Sequence, residues 1–363
     1  MLLYAWGANR YGQLGLGYKS EVVIQPRVVD MSTTNLKADN IVSIAGGTSH
    51  TLILDKNGYV YCCGVNTDGQ LGLPDDHLHF TEIDILKDFQ ISKISCGGDF
   101  SSAILKCGKQ FVWGNNRFAQ LGLSKNIIST GIPSWLQLSP RLATGFRQVS
   151  CGYRHTAMIT QDRGLLVAGT GSKGQLGIGD NYDDNGYMTI SRIPELANVI
   201  SIASGQYHTI CLKEDGNVFG WGENKYGQIG IDPKFTNIYL PAKVLTNNTL
   251  TKLCAGWTHS AALTKHGDVY TWGRNNSGQL GSPRVHPHKP ERIPLTNITD
   301  LSIGSDHNMA ITEDKSLYVW GCNDTGSCGT GDFNHVMRPT KILSQHKVKY
   351  AFACMNSSFA VVE

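Results

Sequence analysis

The string Trp6-Gly7-Ala8-Asn9-Arg10-Tyr11-Gly12-Gln13-Leu14-Gly15 returns six more times in recognisable form down a chain of 363 residues, and no other feature restricts the fold as much. The copies begin at Cys63-Gly64, Trp113-Gly114, Ala168-Gly169, Trp221-Gly222, Trp272-Gly273 and Trp320-Gly321. Successive repeat glycines are 57, 50, 55, 53, 51 and 48 positions apart. Self-similarity at about fifty residues marks an array of small units that bury their apolar faces on each other. A chain of this length would otherwise suggest two domains. Seven copies leave little room for a second, so one unit over 1–363 is expected, with repeat glycines at 7, 64, 114, 169, 222, 273 and 321.

Between these strings lies a second element, G-x-x-H, flanked by hydrophobic runs. It reads Gly47-Thr48-Ser49-His50, Gly152-Tyr153-Arg154-His155, Gly205-Gln206-Tyr207-His208, Gly256-Trp257-Thr258-His259 and Gly304-Ser305-Asp306-His307. Two copies depart: Gly98-Asp99-Phe100-Ser101 lacks the histidine, and Cys354-Met355-Asn356-Ser357 lacks glycine and histidine. In one unit, Ile41–Ala45 and Thr51–Leu54 read as short strands, Asp55-Lys56-Asn57-Gly58 as a two-residue hairpin turn with Asn-Gly at positive φ, and Tyr59–Cys63 as a third strand. Glu214-Asp215-Gly216, Lys265-His266-Gly267 and Gln161-Asp162-Arg163-Gly164 repeat the turn. Pro26–Val29, Pro241–Val244 and Pro339–Ile342 suggest a fourth strand, since proline suits a strand start or an outer edge. Four strands per unit, repeated radially, predict an all-β, seven-bladed propeller. The chain enters in a third strand, Leu3–Gly7, and leaves in a second, Phe359–Val362, so the ends should complete one composite blade and remove the open sheet edges.

Composition agrees: 40% hydrophobic and 17% charged residues describe a globular chain, and 41 glycines against 12 prolines fit many tight turns. A net charge of +3 is too small to argue for nucleic acid. The start shows no charged leader followed by an apolar run, and no stretch reaches membrane-span length, so membrane insertion is not expected and a cytoplasmic or nuclear location is. The ten cysteines form no C-x-x-C pair and suggest neither a metal site nor a disulfide framework; free thiols are expected.

W-G-x-N-x-x-G-Q-L-G alternating with G-x-x-H-[ST] resembles the regulator-of-chromosome-condensation repeat family over essentially the whole chain. WD repeats are shorter and carry a Trp-Asp signature that is absent, and kelch repeats have a different Gly-Gly pattern. Ala5–Gly17, Gly256–His259 with Thr271–Arg274, and Cys328-Gly329 are most similar to the secretion-regulating guanine nucleotide exchange factors of that family. The resemblance implies a binding partner of Ran or Rab type, a small GTPase, an exchange-factor activity with no covalent catalysis and no cofactor, and a link to secretion through an exocyst subunit. The alternative is a non-catalytic scaffold for other proteins.

In the exchange-competent family prototype, acidic groups occupy the x positions of G-x-x-H loops. By residue type, that role passes here to Asp99 and Asp306. Tyr153, Arg154, Tyr207 and Trp257 share the same tier of loops and are the residue types that dominate interface energetics. His50, His155, His208, His259 and His307 invite a metal reading. One ligand per blade is too widely spread for Zn²⁺, so a structural role bridging neighbouring backbone groups is expected. Trp6, Trp113, Trp221, Trp272 and Trp320 read as core, and His77, His79, His286 and His288 as solvated loop residues. A plant light receptor of the family clusters tryptophans in its G-W-R-H loops; with Trp257 alone at that position, photoreception is not expected. The prototype also uses an extruded hairpin, for which only 123–150 and 178–200 are long enough, the latter with Asp180, Asp183 and Asp184. Its chromatin binding uses a basic N-terminal tail that this sequence does not show. No P-loop, H-E-x-x-H or G-x-S-x-G motif occurs, which argues against hydrolytic and metal enzymes.

Overall fold

The computed structural model describes residues 1–138, 142, 145–179, 186–247, 249–283 and 287–363. Seven four-stranded antiparallel sheets stand around a central axis. Blade I comprises Ile41–Gly46, His50–Asp55, Val60–Gly64 and His77–Glu82, from the axis outward. Blades II to VI follow in chain order, with innermost strands Ile91–Cys96, Phe146–Cys151, Val199–Ser204, Leu250–Ala255 and Ile298–Ile303. Blade VII takes its inner strands, Val348–Ala353 and Ser357–Val362, from the end of the chain, and its outer strands, Leu2–Ala8 and Val22–Val28, from the start. Leu2 to Gly7 pair in register with Val362 to Ser357, closing the ring. The fold class and the composite blade are as expected from the repeat.

Each blade buries both faces against its neighbours. The second strands His50–Asp55, Phe100–Leu105, His155–Thr160, His259–Thr264 and Ser357–Val362 are buried at every residue. The five repeat tryptophans have no exposed surface. Leu3, Trp6 and Phe359 join Phe80 of blade I and Trp320 and Cys328 of blade VI in one cluster across the closure. All seven repeat glycines adopt φ between 100° and 115°. In blade I a Cβ on Gly64 would lie 2.8 Å from the Cα of His50, so the third strand crosses beneath the G-x-x-H loop too closely for any side chain. The ladder to the outer strand slips beside this glycine in blades I, II, III, IV, VI and VII.

Two local expectations need correction. The hairpin at Asp55 is a three-residue loop: Asp55 N–H bonds Tyr59 O at 3.0 Å, Gly58 N–H bonds Asp55 O at 3.0 Å, and Gly58 alone takes positive φ, 91°. The Asp55 carboxylate also accepts the Asn57 and Tyr59 amides, which fixes a type I turn with a glycine bulge instead of the two-residue form. In blade III the left-handed residue is Arg163 (φ 60°) and not Gly164. His77 and His79 lie on the outermost strand of blade I and not in a loop; His79 is exposed, and His77 Nδ1 is 3.1 Å from Thr81 Oγ1. His286 falls outside the described residues; His288 is half-buried.

Candidate partner-binding face

Strand direction alternates within a blade, so the loop joining first and second strands (G-x-x-H) and the loop joining third and outer strands (G-x-N-x-x-G-Q-L-G) emerge on the same side of the wheel. The glutamine-bearing loop braces itself: Asn9 Oδ1 accepts Leu14 N–H at 3.2 Å, and Gln13 Oε1 accepts Tyr11 N–H at 3.0 Å. The main-chain carbonyl of that glutamine then faces the next blade. Gln70 O accepts the indole N–H of Trp113 at 2.9 Å and the hydroxyl of Ser101 at 2.8 Å.

The repeat histidines complete this joint. His50 Nε2 lies 2.9 Å from Ser101 Oγ, His155 Nε2 3.0 Å from Thr209 Oγ1, His208 Nε2 2.9 Å from Ser260 Oγ, His259 Nε2 3.0 Å from Asn308 Oδ1 and His307 Nε2 2.8 Å from Ser358 Oγ. Each contact crosses to the next blade. The expected bridge to backbone is thus indirect, passing through a side chain that itself donates to the glutamine-type carbonyl. Burial pushes His50, His155, His208 and His307 down to about 3, keeping them neutral. Burial also lowers His259, against the opposing charge of Asp306.

Tyr153, Trp257 and Ser305, each at the first x position of its G-x-x-H loop, line a central cavity of about 240 Å³. Tyr153, Tyr207 and Trp257 come from consecutive blades III, IV and V. The Tyr153 ring stands edge-on to both others, at centroid distances of 6.2 Å and 6.1 Å. Arg154 lies over two rings, 4.3 Å from the centroid of Phe118 and 5.2 Å from that of Tyr153. Phe118, from the neighbouring glutamine-bearing loop, extends the aromatic surface outward; the sequence pattern did not single it out, because its position in the repeat string tolerates any residue. The Nε1 of Trp257 is buried with no partner among the described residues, and so is Arg274 Nε.

The two aspartates flank this arc. Asp99 sits on blade II and Asp306 on blade VI, so they border the aromatic wall from opposite sides and do not form a pair. Each is half-buried and held by one oxygen. Asp99 Oδ1 accepts the Thr48 hydroxyl at 2.6 Å, and Asp306 Oδ1 accepts Gln279 Nε2 at 3.1 Å and the Thr258 hydroxyl at 3.4 Å. The Oδ2 atoms bond no described residue. Asp180, Asp183 and Asp184 lie outside the described residues.

A sevenfold wheel with these two loop signatures is diagnostic, and a family model for the RCC1-like domain matches residues 2–360. The chain belongs to the RCC1-like family. Among its RCC1-like relatives, the secretion-regulating guanine nucleotide exchange factor of Mus musculus is 32% identical over 303 residues, covering 80% of this chain and 63% of that protein. The ultraviolet-B receptor UVR8 of Arabidopsis thaliana is 30% identical, covering 77% and 62%. This chain therefore spans little more than three fifths of the length of these two relatives. The structure of Prp20p from Saccharomyces cerevisiae, studied for its binding to Gsp1p and histones, superposes with a TM-score of 0.87 at 23% identity, covering 99% of this chain and 91% of that one. At that identity the likeness is one of fold. No helix among the described residues is long and apolar enough to cross a membrane.

Proposed function

We propose that this RCC1-like propeller is a guanine nucleotide exchange factor, or a regulator, for a small GTPase of the Ran type, which it engages with the G-x-x-H face. The observation that carries this reading is the arc at the cavity mouth: an aromatic wall on three adjacent blades, bordered by two carboxylates that each keep one oxygen available. Exchange requires no bond to be made or broken in the protein. A face that binds the empty GTPase more tightly than the loaded one must, by linkage, weaken nucleotide binding to the same degree. A carboxylate oxygen with no partner among the described residues can draw off a phosphate-binding lysine. The 32% identity to a secretion-regulating exchange factor supports the same reading.

We extend the proposal to Rab-type GTPases, to an exocyst subunit as a second partner, to a role in secretion, to a cytoplasmic or nuclear location, and to residues 1–363 working as one rigid unit. The test is release of a fluorescent GDP analogue from purified Ran- and Rab-type GTPases. The expected result is acceleration by the native protein and its loss in Asp99→Ala or Asp306→Ala. No acceleration for any GTPase overturns the exchange activity. The alternative, a non-catalytic scaffold, draws on the aromatic trio, which needs no carboxylate to bind a protein. Under that reading Trp257→Ala abolishes capture of a partner while nucleotide release is untouched by the propeller.

A further inference from the structure

The loop between the third and outer strands of blade VI carries three metal-competent donors brought together at one point. We propose that Cys322, Asp324 and His335 bind a divalent transition-metal ion of the Zn²⁺ class, a site independent of the GTPase reading. The donor atoms of all three lie within 4.8 Å of one another. Cys322 Sγ is 3.3 Å from Asp324 Oδ2, and His335 Nδ1 is 3.8 Å from Asp324 Oδ1. These two contacts use different oxygens of Asp324; ligand bonds of 2.0–2.3 Å in a tetrahedron put donors roughly 3.3–3.8 Å apart, so a set with one donor atom per residue lying within 4.8 Å closes three corners around one ion by side-chain shifts of roughly 1 Å.

The chemistry of the set selects the ion. Thiolate with imidazole and one carboxylate suits Zn²⁺ and its analogues Co²⁺ and Cd²⁺, whereas Mg²⁺ and Ca²⁺ prefer oxygen alone. With Nδ1 unprotonated, His335 accepts the Asn323 amide at 3.3 Å, and metal binding would displace that long bond together with the bond from the Cys322 thiol to Asp324. The surroundings favour a cation. Asp306 and Asp324 both face the Cys322 thiol, and among the described residues neither carboxylate is paired with a lysine or arginine. Asp324 is largely exposed, so a fourth coordination position is open to water or to a donor from a bound protein. The ion would tie together the two ends of the 322–335 loop, next to Asp306 on the same face. Sequence spacing gives no hint of it, because Cys-x-Asp with a histidine eleven positions later matches no common zinc pattern.

The test titrates metal-free protein with Co²⁺ and follows the thiolate-to-metal absorption band, then displaces Co²⁺ with Zn²⁺. One Co²⁺ per chain with a thiolate band is expected, with the band lost in Cys322→Ala and affinity lowered about tenfold or more in His335→Ala. Cys107→Ala, which removes the exposed cysteine elsewhere on the surface, should leave the titration unchanged. Zn²⁺ should raise the melting temperature of the native chain and of Cys107→Ala but not of Cys322→Ala. The proposal is overturned if the native protein shows no thiolate band at high micromolar Co²⁺, or if Cys322→Ala, still folded by circular dichroism, binds the metal as the native chain does.

Discussion

His155 Nε2 sits 3.0 Å from Thr209 Oγ1 of the next blade, and that hydroxyl donates onward to Gln175 O at 3.1 Å. The same relay, from histidine to a neighbour's side chain to a loop carbonyl, stitches blade I to II, IV to V, V to VI and VI to VII. The wheel is thus held by apolar packing and by buried polar joints whose imidazoles are kept neutral by burial.

Those joints make stability depend on pH. The four histidines held at about 3 have an ordinary value near 6.5 when unfolded. Between these limits the unfolded chain binds more protons than the folded one. Stability is therefore flat above about pH 6.5 and falls as pH drops towards 3, by up to about 2 kcal/mol per histidine at pH 5. Urea unfolding at pH 7.5 and pH 5 should show this loss, and His155→Gln should reduce the proton uptake on unfolding by about one. Equal stability at the two pH values contradicts the neutral relay.

The glycine opening each G-x-x-H loop is required by packing alone. A Cβ on Gly152 would press on the His155 ring and lie 2.6 Å from Gly205 O of the next blade. Gly152→Ala should cost about 2–4 kcal/mol. Gly131→Ala, where nothing lies within 4 Å of the added carbon, should stay within about 0.5 kcal/mol of the native chain in the same denaturation assay.

Trp113 and Trp272 occupy equivalent, fully buried positions but differ in one bond: Trp113 Nε1 donates to Gln70 O, while Trp272 Nε1 has no partner among the described residues. Replacing either by Phe removes similar volume. Trp113→Phe should therefore be more destabilising than Trp272→Phe by about 1 kcal/mol, a difference that paired urea titrations would resolve.

Closure of the ring rests on the first strand. Deleting residues 2–8 removes buried Leu3, Ala5 and Trp6 and strips Ser357–Val362 of its outer partner strand. Cooperative thermal unfolding should be lost, and Leu3→Ala alone should cost about 2–5 kcal/mol. An unchanged melt in the deletion would mean the wheel does not need its joint.

On the proposed partner-binding face, Trp257→Ala should weaken partner binding by about thirtyfold or more while melting changes little, because the side chain lines the central cavity and is not in the blade core. Calorimetry of the native and variant proteins with the captured partner measures both quantities.

The repeat string determined the number of blades, their four-stranded form and the composite closure, because each copy carries its own turn residues and its own alternation, and local chemistry is legible one residue at a time. It also placed Trp6, Trp113, Trp221, Trp272 and Trp320 in the core. The wider geometry was decided by the ring. Tyr153, Tyr207 and Trp257 lie some fifty residues apart along the chain and meet only because three blades converge on one axis. Asp99 and Asp306 fall on opposite flanks for the same reason, and Arg154 bridges Tyr153 and Phe118 because the neighbouring blade presents an aromatic ring. Cys322, Asp324 and His335 are gathered by the path of one loop. A periodic sequence specifies each unit; distances between units are set by how many of them share the circle.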